Sequence, residues 1–309
     1  MTRFVLVRLL WVLLTVWLVV SGSFVLVRSL PGGPFDEARA LDPVIRANLA
    51  AAYDLDAPLG TQYLRYLSRV ARFDLGPSLK YRDFSVTEIV AESLPVSALL
   101  GSCALAVALL VGLPAGALAA SRRGSWVDSA VMGAATLGLA LPNFVLAGLL
   151  VLLFVFHWAL FPVSGSGSLR QLVLPSIALG LPFAAAIARL FRAGLLEVLG
   201  EDWIRTARAK GLSGAAVLWG HAARPALLPV VSFLGPAVAG ILSGSLVVER
   251  VFAIAGMGSH FVESAFNADY NLALGVVMVY TALVALLNLL VDLAYGLLDP
   301  RIEVAAGTA

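Results

Sequence analysis

A spanning helix needs about 20 mostly apolar residues, and six stretches of this chain meet that need without one charged side chain: 9–27, 93–121, 129–156, 171–188, 225–248 and 270–291. Hydrocarbon offers no water to the backbone, so each such run must close its hydrogen bonds internally as a helix. Composition agrees: 60% of the residues are hydrophobic and 13% charged, where soluble domains carry about 45–50% and 25%. That excludes an ordinary soluble enzyme, a secreted disulfide scaffold and a disordered protein. The fold class is an all-α polytopic membrane protein with six transmembrane helices. A net charge of +2 is too near balance to suggest nucleic-acid binding. The single cysteine, Cys103, has no partner and says nothing about redox compartment.

The first run, behind Arg3 and Arg8, resembles a signal peptide's apolar core. It exceeds the usual 7–15 residues, and Ser29-Leu30-Pro31 is a poor cleavage site. It reads as a retained helix. Basic residues in short loops set orientation. With the N-terminus cytoplasmic, the inner side holds eleven: Arg3, Arg8, Arg122, Arg123, Arg189, Arg192, Arg205, Arg208, Lys210, Arg224 and Arg301. The short outer loops and helix ends hold only Arg28, Arg170 and Arg250. Both termini are therefore expected inside.

This divides the chain into an N-terminal transmembrane helix (1–30), an extracytoplasmic segment (31–93), a five-helix core (94–297) and a cytoplasmic tail (298–309). In the outer segment, Leu59, Tyr63, Tyr66, Val70 and Phe73 recur at helical spacing. They predict an amphipathic helix, lying on the membrane face or the bundle, or forming one packing face of a small subdomain. Pro31-Gly32-Gly33-Pro34 predicts a turn after the first span. Pro114, Pro142, Pro175, Pro182 and Pro236 fall in or at spans and predict kinked or broken helices. Gly112/Gly116 and Gly240/Gly244 have the G-x-x-x-G spacing that allows close helix approach.

Several chemistries lack their residues. A P-loop needs G-x-x-x-x-G-K-[ST], but Lys80 precedes Tyr81 and Lys210 precedes Gly211. His157, His221 and His260 are far apart and none is followed by Glu, so no H-E-x-x-H zinc site exists. Ser164 to Ser168 reads S-G-S-G-S, an outer loop rather than a nucleophile elbow. Asn288 and Asp292 lie one turn apart on the sixth span. They read as a structural or gating pair, and one such candidate is thin support for an ion-coupled carrier.

The longest inner stretch, about 189–228, carries six of the eleven inner basic residues. Residues 198–210 place acids early and cations late, as a helix dipole favours. Gly211 is positioned to end that helix, and Ser213 to cap a second from Gly214 towards Arg224. A short helix-turn-helix under the membrane is the expectation, suited to docking a soluble partner.

These residues carry a resemblance. DWIRTARAKGLS (202–213), followed by HAARPALLP (221–229), resembles the coupling loop of binding-protein-dependent ABC importers. More narrowly, it is similar to the dipeptide/oligopeptide/nickel permease family. LPGGP, DLDAPLGTQYLRYL, FDLGPS, LVVERVFAIAGMG and the ending NLLVDLAYGLLDPRI extend the likeness over nearly the whole chain. Pro225 stands where the family usually has Asn, and Ala255 where it commonly has Pro. The proline predicts a stop or kink in the second loop helix.

The resemblance implies a type I ABC importer permease in the bacterial inner membrane. Its partners would be a second homologous permease, two cytoplasmic ATPase subunits and an extracytoplasmic substrate-binding protein. The chain itself would be no enzyme and hold no cofactor, with ATP bound by the partner subunits. The ATPase-coupling residues would be Glu201, Asp202, Arg205, Thr206, Ala207, Arg208, Lys210 and Gly211. The arginines and lysine would make partner contacts, and Gly211 would permit the turn. Peptides are the expected cargo. Nickel chelates or another small solute on the same machinery stay open, as does an ion-coupled secondary carrier of a different class. An intramembrane enzyme finds no constellation.

Overall fold

A residue before proline is driven out of the helical region, and Leu141-Pro142 shows the consequence inside an apolar run. Leu141 (φ −83°, ψ 123°) and Pro142 (φ −60°, ψ 141°) are both extended, and the helices on either side are bent by 105°. The structure is a computed structural model, which describes residues 2–29, 57–81, 83–162, 165 and 167–298. Pro31–Pro34 lies outside the described residues, as do parts of the 164–168 loop and the expected tail.

The helices are α1 (Thr2–Ser29), α2 (Leu59–Val70), α3 (Val86–Ser121), α4 (Trp126–Ala140), α5 (Asn143–Leu150), α6 (Leu169–Val198), α7 (Asp202–Ala209), α8 (Gly214–Val217), α9 (Ala223–Ala226), α10 (Leu228–Val251), α11 (Met257–Phe266) and α12 (Tyr270–Leu298). π-helical stretches at Val151–His157 and Leu218–Ala222 extend α5 and join α8 to α9. Five of these helices are long and apolar enough to cross a membrane, namely α1, α3, α6, α10 and α12. The α4–α5 pair, bent by 105°, passes the same test only when taken together, as a broken span or a re-entrant loop. The all-α polytopic class stands, with five spans, or six where the bent pair counts as one.

Several boundaries differ from the apolar runs. Charge ends a run but not a helix: α3 starts at Val86, before Glu88 and Glu92, and α6 continues past Arg189 and Arg192 to Val198. The prolines are a correction. Only Pro142 sits at a sharp break, whereas Pro175 and Pro182 lie inside uninterrupted α6 and Pro236 inside α10. Pro225 lies within the four-residue α9, which ends one residue later at Ala226 and is separated from α10 by a turn at Leu227, as the expected stop or kink requires. The carbonyl its ring would strike belongs to His221, within the π-helical turn that precedes α9.

The chain forms two compact units. The first holds residues 98–254 and 286–298, and α6 is its hub, packing on α4, α5, α9 and α10. Of the most apolar window of α6, 61% is buried, against 11–33% in the other four long spans. Glycine permits this density. A Cβ on Gly112 or Gly116 of α3 would lie 2.6 Å from the carbonyl oxygen of Ala184 or Ala188 on α6, and one on Gly180 would meet that of Ala104. Both predicted G-x-x-x-G pairs are such approaches, with Gly240 against the Phe183 ring and Gly244 against Asn143 and Leu179.

The second unit holds residues 4–97 and 255–285. In it α2 packs on α1: Phe24 meets the rings of Tyr63 and Tyr66, and Ser21 Oγ and Tyr63 Oη are 2.6 Å apart. The predicted amphipathic helix is therefore real, and its face is set by Tyr63, Tyr66 and Val70. Phe73 lies beyond the helix end, 88% exposed at φ 59°, so it does not belong to that face. A second core joins Leu75, Val86, Val90, Met257 and Leu272. Its polar knot is Asp269, fully buried, which accepts from the Ser78 hydroxyl and from the backbone N–H groups of Lys80 and Leu272.

Candidate functional site: the charged loop between α6 and α10

Residues 199–227 form a docked structure, not a solvated connection. Leu199, Gly200 and Glu201 turn the chain after α6 through bonds to Leu195, Glu197 and Val198 carbonyls. The loop's first helix thus begins at Asp202 rather than 198, because α6 keeps residue 198 and Glu201 takes the N-cap. Spacing then sorts the side chains of α7. Ile204 and Ala207, three apart, are buried with Phe191 and Leu195 of α6, Val217 of α8 and Ala222, Ala223 and Ala226 around α9. Full burial of one isoleucine contributes about 1.5–3 kcal/mol, so Ile204 fixes α7 to the hub.

The opposite face is open. Glu201, Asp202, Arg205, Thr206, Arg208 and Lys210 are all exposed. Asp202 and Arg205 form a 3.2 Å pair at 94% and 75% side-chain exposure, which in water is worth little. Thr206 Oγ1 donates back to the Asp202 carbonyl at 3.2 Å. Ala207 is the exception among the expected coupling residues: it faces the core and cannot touch a partner. Gly211 follows at φ 84°, its N–H bonded to the Arg208 carbonyl at 2.9 Å, with open space where a Cβ would stand. Its role is conformational, as its position after the helix predicted. Ser213 caps α8, its side chain accepting from Ala216 N–H at 3.3 Å.

Two features escaped sequence reasoning. Trp203, Leu212 and Trp219 are 44%, 40% and 56% exposed, an apolar set beside the charges of α7. Tryptophan and arginine together are what interface cores favour. Trp203 stood inside the recognised segment, but sequence could not say which side of α7 it takes. The second is a lock at the root of the loop. Arg192 of α6 donates from Nε and a terminal nitrogen to the two carboxylate oxygens of Asp128 at 2.6 and 2.7 Å, and Gly124 N–H adds a third bond. Bidentate geometry of this kind is strong and directional. It ties the start of α4 to α6 less than two turns before α6 ends.

Asn288 is exposed on α12, where it closes on α10. Its Oδ1 lies 2.7 Å from where a Cβ of Gly235 would be. The side chain of Asp292 lies outside the described residues. Among the described residues no group of three His, Cys, Asp or Glu side chains is placed to hold a metal ion.

Several long apolar helices, one of them largely buried in its own unit, with a charged and aromatic loop docked against it, define an integral membrane component whose distinctive surface is that loop. The chain belongs to the family described as binding-protein-dependent transport system inner membrane component, which matches residues 112–304. It is 43% identical over 307 residues to the oligopeptide transport system permease protein OppB of Escherichia coli (strain K12), covering 98% of this chain and 100% of that one. To the dipeptide transport system permease protein DppB of Bacillus subtilis (strain 168) it is 44% identical over 303 residues, covering 98% of each. A chain of the MetNI methionine ABC transporter, solved in inward-facing conformations, shares the fold at 19% identity and a TM-score of 0.57, covering 68% of this chain and 96% of that one. This protein is accordingly a multi-pass inner-membrane permease subunit of an ABC importer, and its relatives are transport permeases, not enzymes.

Proposed function

We propose that the chain lines, with a second related permease, a transmembrane path for di- and oligopeptides. An extracytoplasmic binding protein delivers them and two cytoplasmic ATPase subunits supply the energy, so this chain holds no nucleotide or other cofactor. The peptide assignment rests on identity above 40% along nearly the whole chain to permeases named for oligopeptides and dipeptides. The observation that carries the mechanism is the two-faced α7: Ile204 and Ala207 in the core, Asp202, Arg205, Arg208 and Lys210 outside.

An ATPase gripping the exposed face of α7 pushes through Ile204 onto Phe191 and Leu195, hence onto α6, the most buried span. Because Arg192 and Asp128 bind bidentately, α4 moves with α6. Nucleotide-driven closure then rocks the helices as rigid bodies, a switch of the hinge and shear kind. Trp203 and Trp219 supply the apolar contact of that grip, and the cations its register.

The orientation in this proposal, both termini inside, follows the basic-residue asymmetry. Single cysteines at Phe73 and Ala215, both exposed, test it in intact cells once Cys103 is replaced. Ser78 is a poor probe because it is 1% exposed. An impermeant reagent is expected to label position 73 only; labelling at 215 from outside reverses the orientation. Uptake of a labelled tripeptide by the assembled complex tests the cargo, with a nickel chelate as competitor. Absence of peptide-dependent ATP hydrolysis in the presence of the cognate binding protein would remove the peptide assignment.

A further inference from the structure

The turn between α3 and α4, in the first unit, carries positive charge that nothing in the turn cancels. Arg122 and Arg123 directly follow the last residue of α3; both are exposed, and neither is paired with an acid among the described residues. The only acidic residue between Leu118 and Ala130 is Asp128. It is 5% exposed and already occupied: its two oxygens accept from Arg192 at 2.6 and 2.7 Å, and one of them also accepts from Gly124 N–H at 3.0 Å. The backbone between the two helices is held as well. Ser125 N–H bonds to the Arg122 carbonyl, and the Ser125 side chain caps α4. The two guanidinium groups therefore leave a fixed turn with their bonding capacity open to a ligand.

The helices on either side select that ligand. Along α3, Val111, Pro114 and Leu118 are exposed at spacings of three and four, and Arg122 is the next position of the same stripe. Along α4 the exposed stripe is Trp126, Ala130, Gly133 and Leu137, with Trp126 80% and Leu137 67% exposed. Two apolar stripes thus end at one turn, in two cations and an indole. Acyl chains cover such stripes, an indole settles at the boundary between chains and headgroups, and arginine just beyond it reaches the headgroups. A phospholipid with a negative headgroup meets all three demands in one molecule. A carboxylate on a soluble partner would satisfy the cations but not the apolar stripes that lead to them.

We propose that Arg122, Arg123 and Trp126 form a binding site for an anionic phospholipid, on the side of the membrane where the charged loop lies. Through Asp128 and Arg192 this turn is tied to α6 less than two turns before that helix ends. A bound headgroup therefore anchors the root of the loop at the membrane surface.

Native mass spectrometry of the full transporter complex, released from nanodiscs of phosphatidylcholine with or without phosphatidylglycerol, tests the site. Wild type is expected to retain phosphatidylglycerol through delipidation and to lose phosphatidylcholine. Arg122→Gln and Arg123→Gln should each weaken phosphatidylglycerol retention about fivefold. Trp126→Ala should weaken it too, while Arg170→Gln, at the opposite end of α6, leaves it unchanged. The altered side chains are exposed, so complex yield should hold in all three variants. The readout is lipid retention and does not depend on the cargo. Equal retention of the two lipids by wild type would mean that headgroup charge is not read, and would overturn the proposal. Unchanged phosphatidylglycerol retention in both arginine variants would overturn it as well; loss of ATPase co-purification in those same variants would then assign the turn to that partner.

Discussion

Gly112, Gly116 and Gly180 at the α3–α6 crossing and Gly211 after α7 are the same residue used for opposite reasons. At the crossing the backbone is ordinary helix and there is no room: Cβ atoms at the first two positions would lie 2.6 Å from backbone oxygens. At Gly211 there is open space, and the backbone alone, at φ 84°, demands glycine. The crossing is fixed by packing and the loop by conformation. A substitution therefore damages the whole bundle in one region and only the placement of α7 in the other.

The largest expected effect breaks the crossing. Gly180→Val should cost more than about 3 kcal/mol, beyond ordinary overpacking, because a backbone carbonyl cannot rotate away. Loss of folded protein after detergent extraction checks it; near-normal yield and melting would mean that α3 and α6 are not held this closely. Next comes Ile204→Ala, which should cost about 2–5 kcal/mol as a cavity under α7. Uptake should fall further than subunit yield does, since the bundle stays assembled while its loop loosens.

Gly211→Val sharpens the comparison directly. Strain of about 1–2 kcal/mol is expected at this position, with insertion intact and ATPase co-purification or transport lost. Gly214→Ala, also in open space but without a positive φ, is the matched control and should be silent. Equal behaviour of the two variants would remove conformation as the reason for glycine at 211. Asp128→Asn should be smaller still in yield, yet it weakens the Arg192 lock; uncoupled ATP hydrolysis with reduced uptake is the expected signature.

The smallest effect belongs to the second unit. Burial lowers the affinity of His260 for its proton, against the opposing pull of Glu263 and Glu92. The unfolded histidine, near 6.5, takes up a proton before the folded one does. Stability should thus be full above that value and decline as pH falls below it. Thermal melts from pH 7.5 down to 5 should show a drop that His260→Gln abolishes.

Much of the loop's local structure was legible in one segment. Asp202–Ser213 announced the loop, its glycine stop and the Ser213 cap, because caps and left-handed turns are local demands met by few residue types. Ala207 shows the limit: it sits in the same recognised run, but which face of α7 it occupies depends on α6, more than ten residues away. Arg192 reads from sequence only as an inner basic residue, whereas the structure bonds it to Asp128 of α4.

Uncharged run length determined the membrane class and placed the five long apolar helices, because hydrocarbon penalises charge and unpaired backbone wherever the chain goes. Local residue chemistry determined the turn at Gly211. Only the tertiary structure decided that Pro142 breaks its span while Pro175 and Pro182 do not, and that Gly180 joins Gly112 and Gly116 at one crossing. It alone also decided that Ile204 faces inward while Arg205 and Arg208 face out. Those outcomes depend on which backbone lies opposite, and a neighbour brought close by folding leaves no mark in the order of residues.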